Sequence, residues 1–500
     1  MWYLPTGGQM KNADRYTIQE LKVPSLTLME RAAAACAEVI RKKNFDQSHI
    51  CVVCGSGNNG GDGFAIARIF ADEGAKVTAV MAGNPGHLTE EALYQKELFE
   101  KTDGSLCDEF KEDEYSIIID AVFGVGLNRK VTGKYCDIIN RMNICSGVKV
   151  AVDIPSGVSS ETGAVLGTAF RADYTVTFQA QKIGTFLYPG REYAGEVITA
   201  DIGITEKLFK ADKDVAYTHV SSEYRDMLPV RKADSNKGTY GKVLMIAGSK
   251  GMSGAAYLNA LGAYRTGAGL VRIYTAEENR AILQGQLPEA VITAYGLYDE
   301  RELLKLLEWA DVICIGSGMG TTEKAWKIVR TTAENAEVPC VIDADALNLL
   351  SEHRKYIKQL LSKQVILTPH IKEFSRLTGK AVEEIKADRT GALREFTEST
   401  GVTCILKDAV TLIRTGAGRV FVNSSGCAAM AKAGSGDVLA GIVTGLLAQG
   451  LSCHEAAVLG AYLHGRAGEY AAEAKGIYSI LARDIAENTG EVMKEWTRQM

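Results

Sequence analysis

Gly55-Ser-Gly-Asn-Asn-Gly-Gly-Asp-Gly63, the stretch GSGNNGGDG, decides how the first half of the chain folds. By its glycines it is G-x-G-x-x-G. Upstream, HICVVCG (residues 49–55) has the β-branched and small apolar residues of a short buried strand. Downstream, FAIARIFADEG predicts a helix that starts at Phe64 and ends at Gly74. A strand, a glycine loop and a helix start make an anion site, because free backbone N–H groups point out of the helix end. An ordinary dinucleotide site also needs an acid roughly 20 residues on, at the end of the next strand, to hold the ribose hydroxyls. That strand, KVTAVMAG (residues 76–83), ends without Asp or Glu. The loop is also unusually polar. Its two Asn and one Asp suit a ligand with several hydrogen-bonding groups, or a cation held by oxygens.

Working outward, residues 15–205 alternate strands and helices. The helix SLTLMERAAAACAEVIRK is amphipathic. Strands follow at ICVVC, KVTAVM, SIIIDAVFG, VKVAVDIPSG and ADYTVTF. This alternation implies a parallel sheet covered by helices on both faces. Residues 205–235 are polar and lack a strong period, which puts a domain junction there. A second α/β run begins at GKVLMIAGS. It continues through GLVRIYT, ADVICIGSGMG, CVIDADALNLL, VILTPH and CILKDAVTLI, and ends in a Gly/Ala-rich helical region from Gly434. Two α/β domains are expected, at residues 1–215 and 225–500, in keeping with a chain of 500 residues.

Composition narrows the function. Apolar content of 46% and charged content of 23% are those of a globular protein. A net charge of −5 argues against a general nucleic-acid or anionic-membrane binder. The 11 cysteines are odd in number and sit mostly inside apolar strings, as in a reducing cytoplasm. Cys51 and Cys54 form a C-x-x-C, but residues three apart in a strand face opposite ways and could not share a metal. The N-terminus lacks a basic segment followed by an apolar core, so no signal peptide is expected. The run VLAGIVTGLLA (residues 438–448) is far shorter than the roughly 20 residues of a membrane span. The seven histidines include no H-E-x-x-H, and there is no P-loop and no EF-hand.

In a parallel sheet, ligands bind beyond the carboxyl ends of strands. Four polar segments of the first domain gather at such ends. They are the GNNGGDG loop, Asp120 ending SIIID, the loop GVGLNRK (124–130), and Asp153 with Ser156 in VDIPSG. Asn59, Asp120 and Ser156 could supply oxygens to a monovalent cation. Asp153, at the end of an apolar strand, could be a general acid or base with a raised pKa, although a lone strand-end Asp can equally be a turn cap. In the second domain, AGSGD (433–437) opens a helix, and the N–H groups of Gly434, Ser435 and Gly436 could cradle a phosphate in flight. Asp437 beside them could take a proton from an attacking hydroxyl, and the helix end should lower its pKa. TPHIKEF puts His370 and Glu373 just after a strand, and LKDAVT puts Lys407 at a strand end, suited to nucleotide phosphates. A lone His370 could equally be structural.

These motifs, in this order, resemble the bifunctional NAD(P)HX repair enzymes, the YjeF family, which join an NAD(P)HX epimerase to an ADP-dependent (S)-NAD(P)HX dehydratase. The strings that carry the resemblance are GSGNNGGDGF, DAVFGVGL and VDIPSG, then KGTYGKVLMIAGSKGMSGAAYLNALGAYRTGAGLV, DADALN, TPHIKEF and AGSGDVLAGI. The last is a variant of the anion-hole motif of ribokinase-like kinases. The resemblance implies a Rossmann-like domain followed by a ribokinase-like one. It implies that Asn58, Asn59, Gly60, Gly61 and Asp62, with Gly124, Val125, Gly126, Leu127, Asn128, Arg129 and Lys130, contact the hydrated dinucleotide. Asn59, Asp120 and Ser156 would hold K⁺, and Asp153 would bind substrate and act as acid/base. Ala255, Gly318, His370 and Asp437 would line the S-epimer site. Lys407, Asp408, Ala409, Val410, Thr411 and Gly436 would bind ADP, with Mg²⁺ neutralising the transferring charge and Glu373 orienting it through water. Asp437 would deprotonate the ring hydroxyl while ADP donates its β-phosphate, leaving AMP; phosphate then departs. Many relatives carry a His where this chain has Asn236. A cytoplasmic homo-oligomer acting on small molecules, with no nucleic-acid or membrane partner, is expected. Three other readings stay open: a ribokinase-like kinase of a small alcohol, a non-catalytic first domain, and a redox enzyme.

Overall fold

Every residue of the Ile50–Cys54 strand is buried. Ile50, Val52 and Cys54 pack into one hydrophobic cluster, and Cys51 and Val53 into another. The two thiols therefore point to opposite faces, as the period-2 alternation of a strand requires, and both are free. A strand buried on both faces belongs inside a parallel sheet. The computed structural model describes residues 1–359 and 364–498. In it this strand lies within a seven-stranded sheet whose pairings are all parallel. The order is Ser105–Cys107, Val77–Met81, Ile50–Cys54, Ile117–Ala121, Val148–Val152, Tyr174–Phe178 and Glu196–Ala200. The chain starts inside the sheet, runs to one edge, then returns across to the other. The reversal falls between Ile50–Cys54 and Ile117–Ala121, and a crevice opens there at the carboxyl ends.

The helix Ser25–Lys42 covers this sheet with a buried stripe of Leu28, Met29, Ala32, Ala33, Cys36, Ala37 and Ile40, spaced at three and four residues. The GSGNNGGDG segment differs from the expected glycine loop. Its helix begins at Asn58 rather than Phe64 and runs to Asp72. The reason is close packing: a Cβ on Gly60 would lie 1.9 Å from the Gly55 carbonyl oxygen. Only glycine lets this turn press onto the strand end.

The chain divides into two compact units, one from Trp2 to Tyr217 and the other comprising the described residues from Thr218 onward. In the second, Lys242–Ile246 plays the part of Ile50–Cys54. Its sheet runs Phe421–Val422, Leu412–Thr415, Thr403–Leu406, Val365–Leu367, Cys340–Ile342, Val312–Ile315, Lys242–Ile246, Leu270–Ala276, Val291–Tyr295. Pairings are parallel from Thr403–Leu406 onward and antiparallel before it. The CILKDAVTLI run thus splits into two antiparallel strands, with residues 407–411 as the connection. The chain reverses between Lys242–Ile246 and Val312–Ile315. The loops after those strands are stitched together there by Gly248 N–H donating to Ser317 O (2.9 Å) and Ser249 N–H donating to Gly318 O (2.6 Å). Among the described residues, no helix is long and apolar enough to cross a membrane.

Candidate active sites

A cavity of about 590 Å³ opens at the reversal point of the first sheet. Asn58 and Asn59 reach it from the first turn of the Asn58–Asp72 helix and Asp62 from one turn on, and residues 124–129 form another wall. Asp153 lines it as well. Gly60, Gly61 and Lys130 do not line it. Gly60 and Gly61 serve packing instead, against the Gly55 carbonyl and the Met29 side chain. Asp120 and Ser156 also lie outside the lining, fully buried.

Asp153 has a φ of +67°, a conformation that costs a non-glycine residue free energy and persists only where surrounding bonds enforce it. Its N–H donates to Val176 O (2.8 Å), and its Oδ1 accepts from Phe178 N–H at 3.1 Å. Its ion-pair partner is Lys182, which the sequence reading missed. The Lys182 ammonium, 1% exposed, bonds Asp153 Oδ1, Thr177 Oγ1 (3.0 Å) and Phe178 O (2.9 Å). Lys182 follows the Tyr174–Phe178 strand in a stretch without a glycine motif, so only the neighbouring ADYTVTF strand could have pointed to it. Asp14 on the helix Gly7–Gln19 was missed too, and it also lines the cavity. Burial, with the Asp153 and Glu91 charges, pushes its carboxyl up. Asp62 is pushed well above the carboxylate range by burial, then by Asp153 and Asp14, with Lys182 opposing.

Behind the cavity, Ser156 Oγ donates to Asp120 Oδ1 (2.6 Å) and Ser156 N–H to Asp120 Oδ2 (2.7 Å). Burial pushes Asp120 up to about 6, held down by the bonds from Ser156 and Val122. A buried carboxylate with a hydroxyl beside it and, among the described residues, no ammonium or guanidinium paired to it, together with the Asn59 amide oxygen against Gly124, is an oxygen-rich set that fits a monovalent cation.

In the second unit, Gly434 takes the left-handed conformation (φ +91°) that caps the start of the helix Ser435–Ala448. Asp437 sits in the first turn of this helix. The expected lowering of Asp437 by the helix end is corrected. Burial and the Asp343 charge push it up to about 6, against a Ser317 hydrogen bond and Lys407. Desolvation exceeds the partial charge of a helix terminus, which is worth about 0.3–1 kcal/mol at an exposed site. Lys407 Nζ stands 2.9 Å from Asp343 Oδ1, which also accepts from Thr368 Oγ1 at 2.6 Å. A Cβ on Gly436 would meet that same ammonium at 3.3 Å, so Lys407 and the GSGD turn face each other. Burial lowers the Lys407 pKa, but Asp343, Glu373 and Asp437 more than offset it and raise the net value.

The remaining residues divide. Ala255 and Gly318 touch at the reversal point: a Cβ on Gly318 would meet the Ala255 Cβ at 2.7 Å. His370 caps the helix Ile371–Thr378, its Nδ1 accepting from Lys372 and Glu373 N–H, so the ring proton sits on Nε2. Burial lowers its pKa against Glu373. Glu373 is buried and accepts from His370 N–H at 2.8 Å. Asp408 pairs with Arg389 (2.9 Å) and Val410 is buried; the Thr411 carbonyl accepts from Asn423 N–H at 2.9 Å. Asp343, Ser317 and Asn259 were missed as site residues. DADALN carried the signal for Asp343, an acid ending an apolar strand. Asn259 donates to Ser317 Oγ (3.2 Å) and Asp437 O (2.9 Å). Among the described residues, no three His, Cys, Asp or Glu side chains cluster closely enough to hold a metal.

Residues 25–184 match the YjeF-related protein N-terminus family, and residues 243–490 match NAD(P)H-hydrate dehydratase. The bifunctional NAD(P)H-hydrate repair enzyme Nnr of Moorella thermoacetica is 35% identical, covering 97% of this chain and 95% of its own length. That of Escherichia coli (strain K12) is 34% identical over 97% and 92%. The chain belongs to the bifunctional NAD(P)H-hydrate repair enzyme family. Its second unit shares the fold of a ribokinase-like superfamily protein from Enterococcus faecalis, 28% identical with a TM-score of 0.51 over 56% of this chain and 96% of that one. The ADP/ATP-dependent NAD(P)H-hydrate dehydratase from Bacillus subtilis, co-crystallized with ATP/Mg²⁺, is 33% identical with a TM-score of 0.50 over 55% and 97%. This α/β enzyme therefore pairs an epimerase-type first unit with a ribokinase-like dehydratase unit.

Proposed function

We propose that the first unit interconverts the R and S forms of hydrated NAD(P)H and that the second dehydrates the S form with ADP, yielding NAD(P)H, AMP and phosphate. The observation that carries the reading is Asp437 in the first turn of a glycine-opened helix, facing Lys407. Hydroxide is a poor leaving group. Asp437 takes the proton of the ring hydroxyl as its oxygen attacks the β-phosphorus, and the helix N–H groups and Lys407 hold the phosphoryl oxygens. The ring nitrogen lone pair then expels phosphate, and loss of the neighbouring C–H proton restores the dihydronicotinamide. Mg²⁺ supplies neutralising charge on the phosphates when bound. In the first unit, Asp153 is the acid/base group, and Asn58, Asn59 and residues 124–129 receive the dinucleotide. K⁺ would rest against Asp120, Ser156 and Asn59 and supply positive charge there. Free cysteines throughout suit a reducing cytoplasm. Matches to repair enzymes over nearly the full chain favour this over a small-alcohol kinase.

The test is recovery of reduced-nicotinamide absorbance from mixed R and S hydrate with Mg²⁺, K⁺ and ADP or ATP in separate reactions. Full recovery with ADP, and recovery of only the S fraction in Asp153→Ala, supports both assignments. No recovery with either nucleotide overturns them.

A further inference from the structure

Hydration of a dihydronicotinamide is hydration of an enamine. The β-carbon takes the proton and the carbon attached to nitrogen takes the hydroxyl, so the two epimers differ at that hemiaminal carbon. Inverting it by loss and return of the hydroxyl needs two proton carriers, one giving a proton to the departing oxygen and one taking a proton from the entering water. Asp153 is one such group. A second carboxyl in the same cavity has no hydrogen-bond or ion-pair partner among the described residues.

We propose that Asp62 is the second catalytic residue of the epimerase, acting as the proton donor opposite Asp153. This rests on the reading of the cavity given above. Asp62 lines the cavity one helical turn after Asn58, and among the described residues its carboxyl makes no hydrogen bond or ion pair. It arrives on the helix that follows Ile50–Cys54. Asp153 arrives after Val148–Val152, with the Ile117–Ala121 strand between. The two carboxyls thus enter the cavity from different elements, as reaction on two faces of one ring requires. The charged groups around it are Asp14 and Lys11 of the helix Gly7–Gln19, Glu91 facing Asp14, Arg129, Asp153 and Lys182. Lys11 and Arg129 are exposed, whereas the buried ammonium of Lys182 is spent on Asp153. One cation cannot hold three carboxylates ionised. Asp153 keeps the ammonium, while burial and the neighbouring charges favour a proton on Asp62.

The step balances. The Asp62 proton moves to the ring hydroxyl, the carbon–oxygen bond breaks and water departs, and the ring nitrogen lone pair forms a carbon–nitrogen double bond. Water on the opposite face bonds to the same carbon and gives its extra proton to Asp153. Asp62 is left ionised and Asp153 protonated, which is the form that processes the opposite epimer. Exchange of protons with solvent resets the pair.

The experiment follows epimer ratios for the full chain in water enriched in oxygen-18, across pH. In the wild type, each inversion should put a solvent oxygen on the ring, and the rate should fall as pH rises through the Asp62 titration. Asp62→Asn should lower kcat about 10²- to 10⁴-fold with little change in KM and should remove that alkaline limb; Asp62→Glu should recover part of the rate and the limb. Retention of the original oxygen overturns the expulsion step. An Asp62→Asn enzyme with altered KM alone and an intact limb overturns the assignment. Circular dichroism and thermal unfolding of the same variant, compared with the wild type, check the fold of the first unit. If the variant fails that check, the wild-type limb and Asp62→Glu decide. A wild-type chain that does not epimerise would instead sink the reading of the first unit.

Discussion

The two units solve one electrostatic problem in parallel ways. Each has a lysine paired to a strand-end aspartate, Lys182 with Asp153 and Lys407 with Asp343. Each then has a further carboxyl whose pKa burial raises, Asp62 in one and Asp437 in the other. The difference lies in what faces that carboxyl. Asp62 faces a cavity with other acids, whereas Asp437 sits in a helix N-terminal turn with an ammonium across from it. On the proposed mechanisms the first arrangement moves protons only, and the second moves a proton beside a place for phosphate. One pattern of charge pairing would then support two chemistries, with backbone N–H groups deciding which.

The comparison breaks most directly at Asp437. Asp437→Asn should cut dehydration of S hydrate about 10²- to 10⁴-fold while epimerisation persists, measured by reduced-nicotinamide absorbance and epimer ratio. Loss of both activities would deny that the carboxyl is specific to one unit. Next come the lysines. Removing one partner of a buried pair costs about 3–5 kcal/mol. Lys182 has 1% side-chain exposure and Lys407 20%, so urea unfolding should register a larger loss for Lys182→Met than for Lys407→Met. Acidification should then act on both sites. Asp437, at about 6, must be ionised to act as a base, so dehydration should fall as pH drops through about 6. Asp120, also at about 6, must be ionised to hold a cation, and any K⁺ stimulation of epimerisation should vanish over the same range. A K⁺ response unchanged at pH 5 would remove Asp120 from the cation site. The smallest effect is expected at Asn236, whose Oδ1 caps a short 3₁₀ turn by accepting from Gly238 N–H at 2.8 Å. Asn236→His should shift stability by under about 1 kcal/mol and leave both activities standing.

The amphipathic helix Ser25–Lys42 was legible to the residue, since its apolar spacing needs no distant partner to be recognised. The central strands were legible for the same reason. Ser105–Cys107, Glu196–Ala200 and Val291–Tyr295 were not, because edge strands are half-exposed and lack a continuous apolar run. At the sites, Asp153 and Asp437 could be picked out as acids at strand and helix ends. Lys182 and Asp14 could not be assigned, since each acquires its role from residues far away in sequence; Asp343 stood out as a strand-end acid, but its pairing with Lys407 did not.

The sequence by itself determined two α/β units, their central strands, and which acids stand at strand and helix ends, because periodicity and glycine spacing are local properties. Tertiary structure alone decided that NNGGD is a helical turn packed on a strand, that Lys182 and Lys407 neutralise particular aspartates, and that Asp437 is raised rather than lowered. The physical reason is that burial and charge act through space. A helix terminus is written in one segment, but the desolvation that outweighs it is assembled from many.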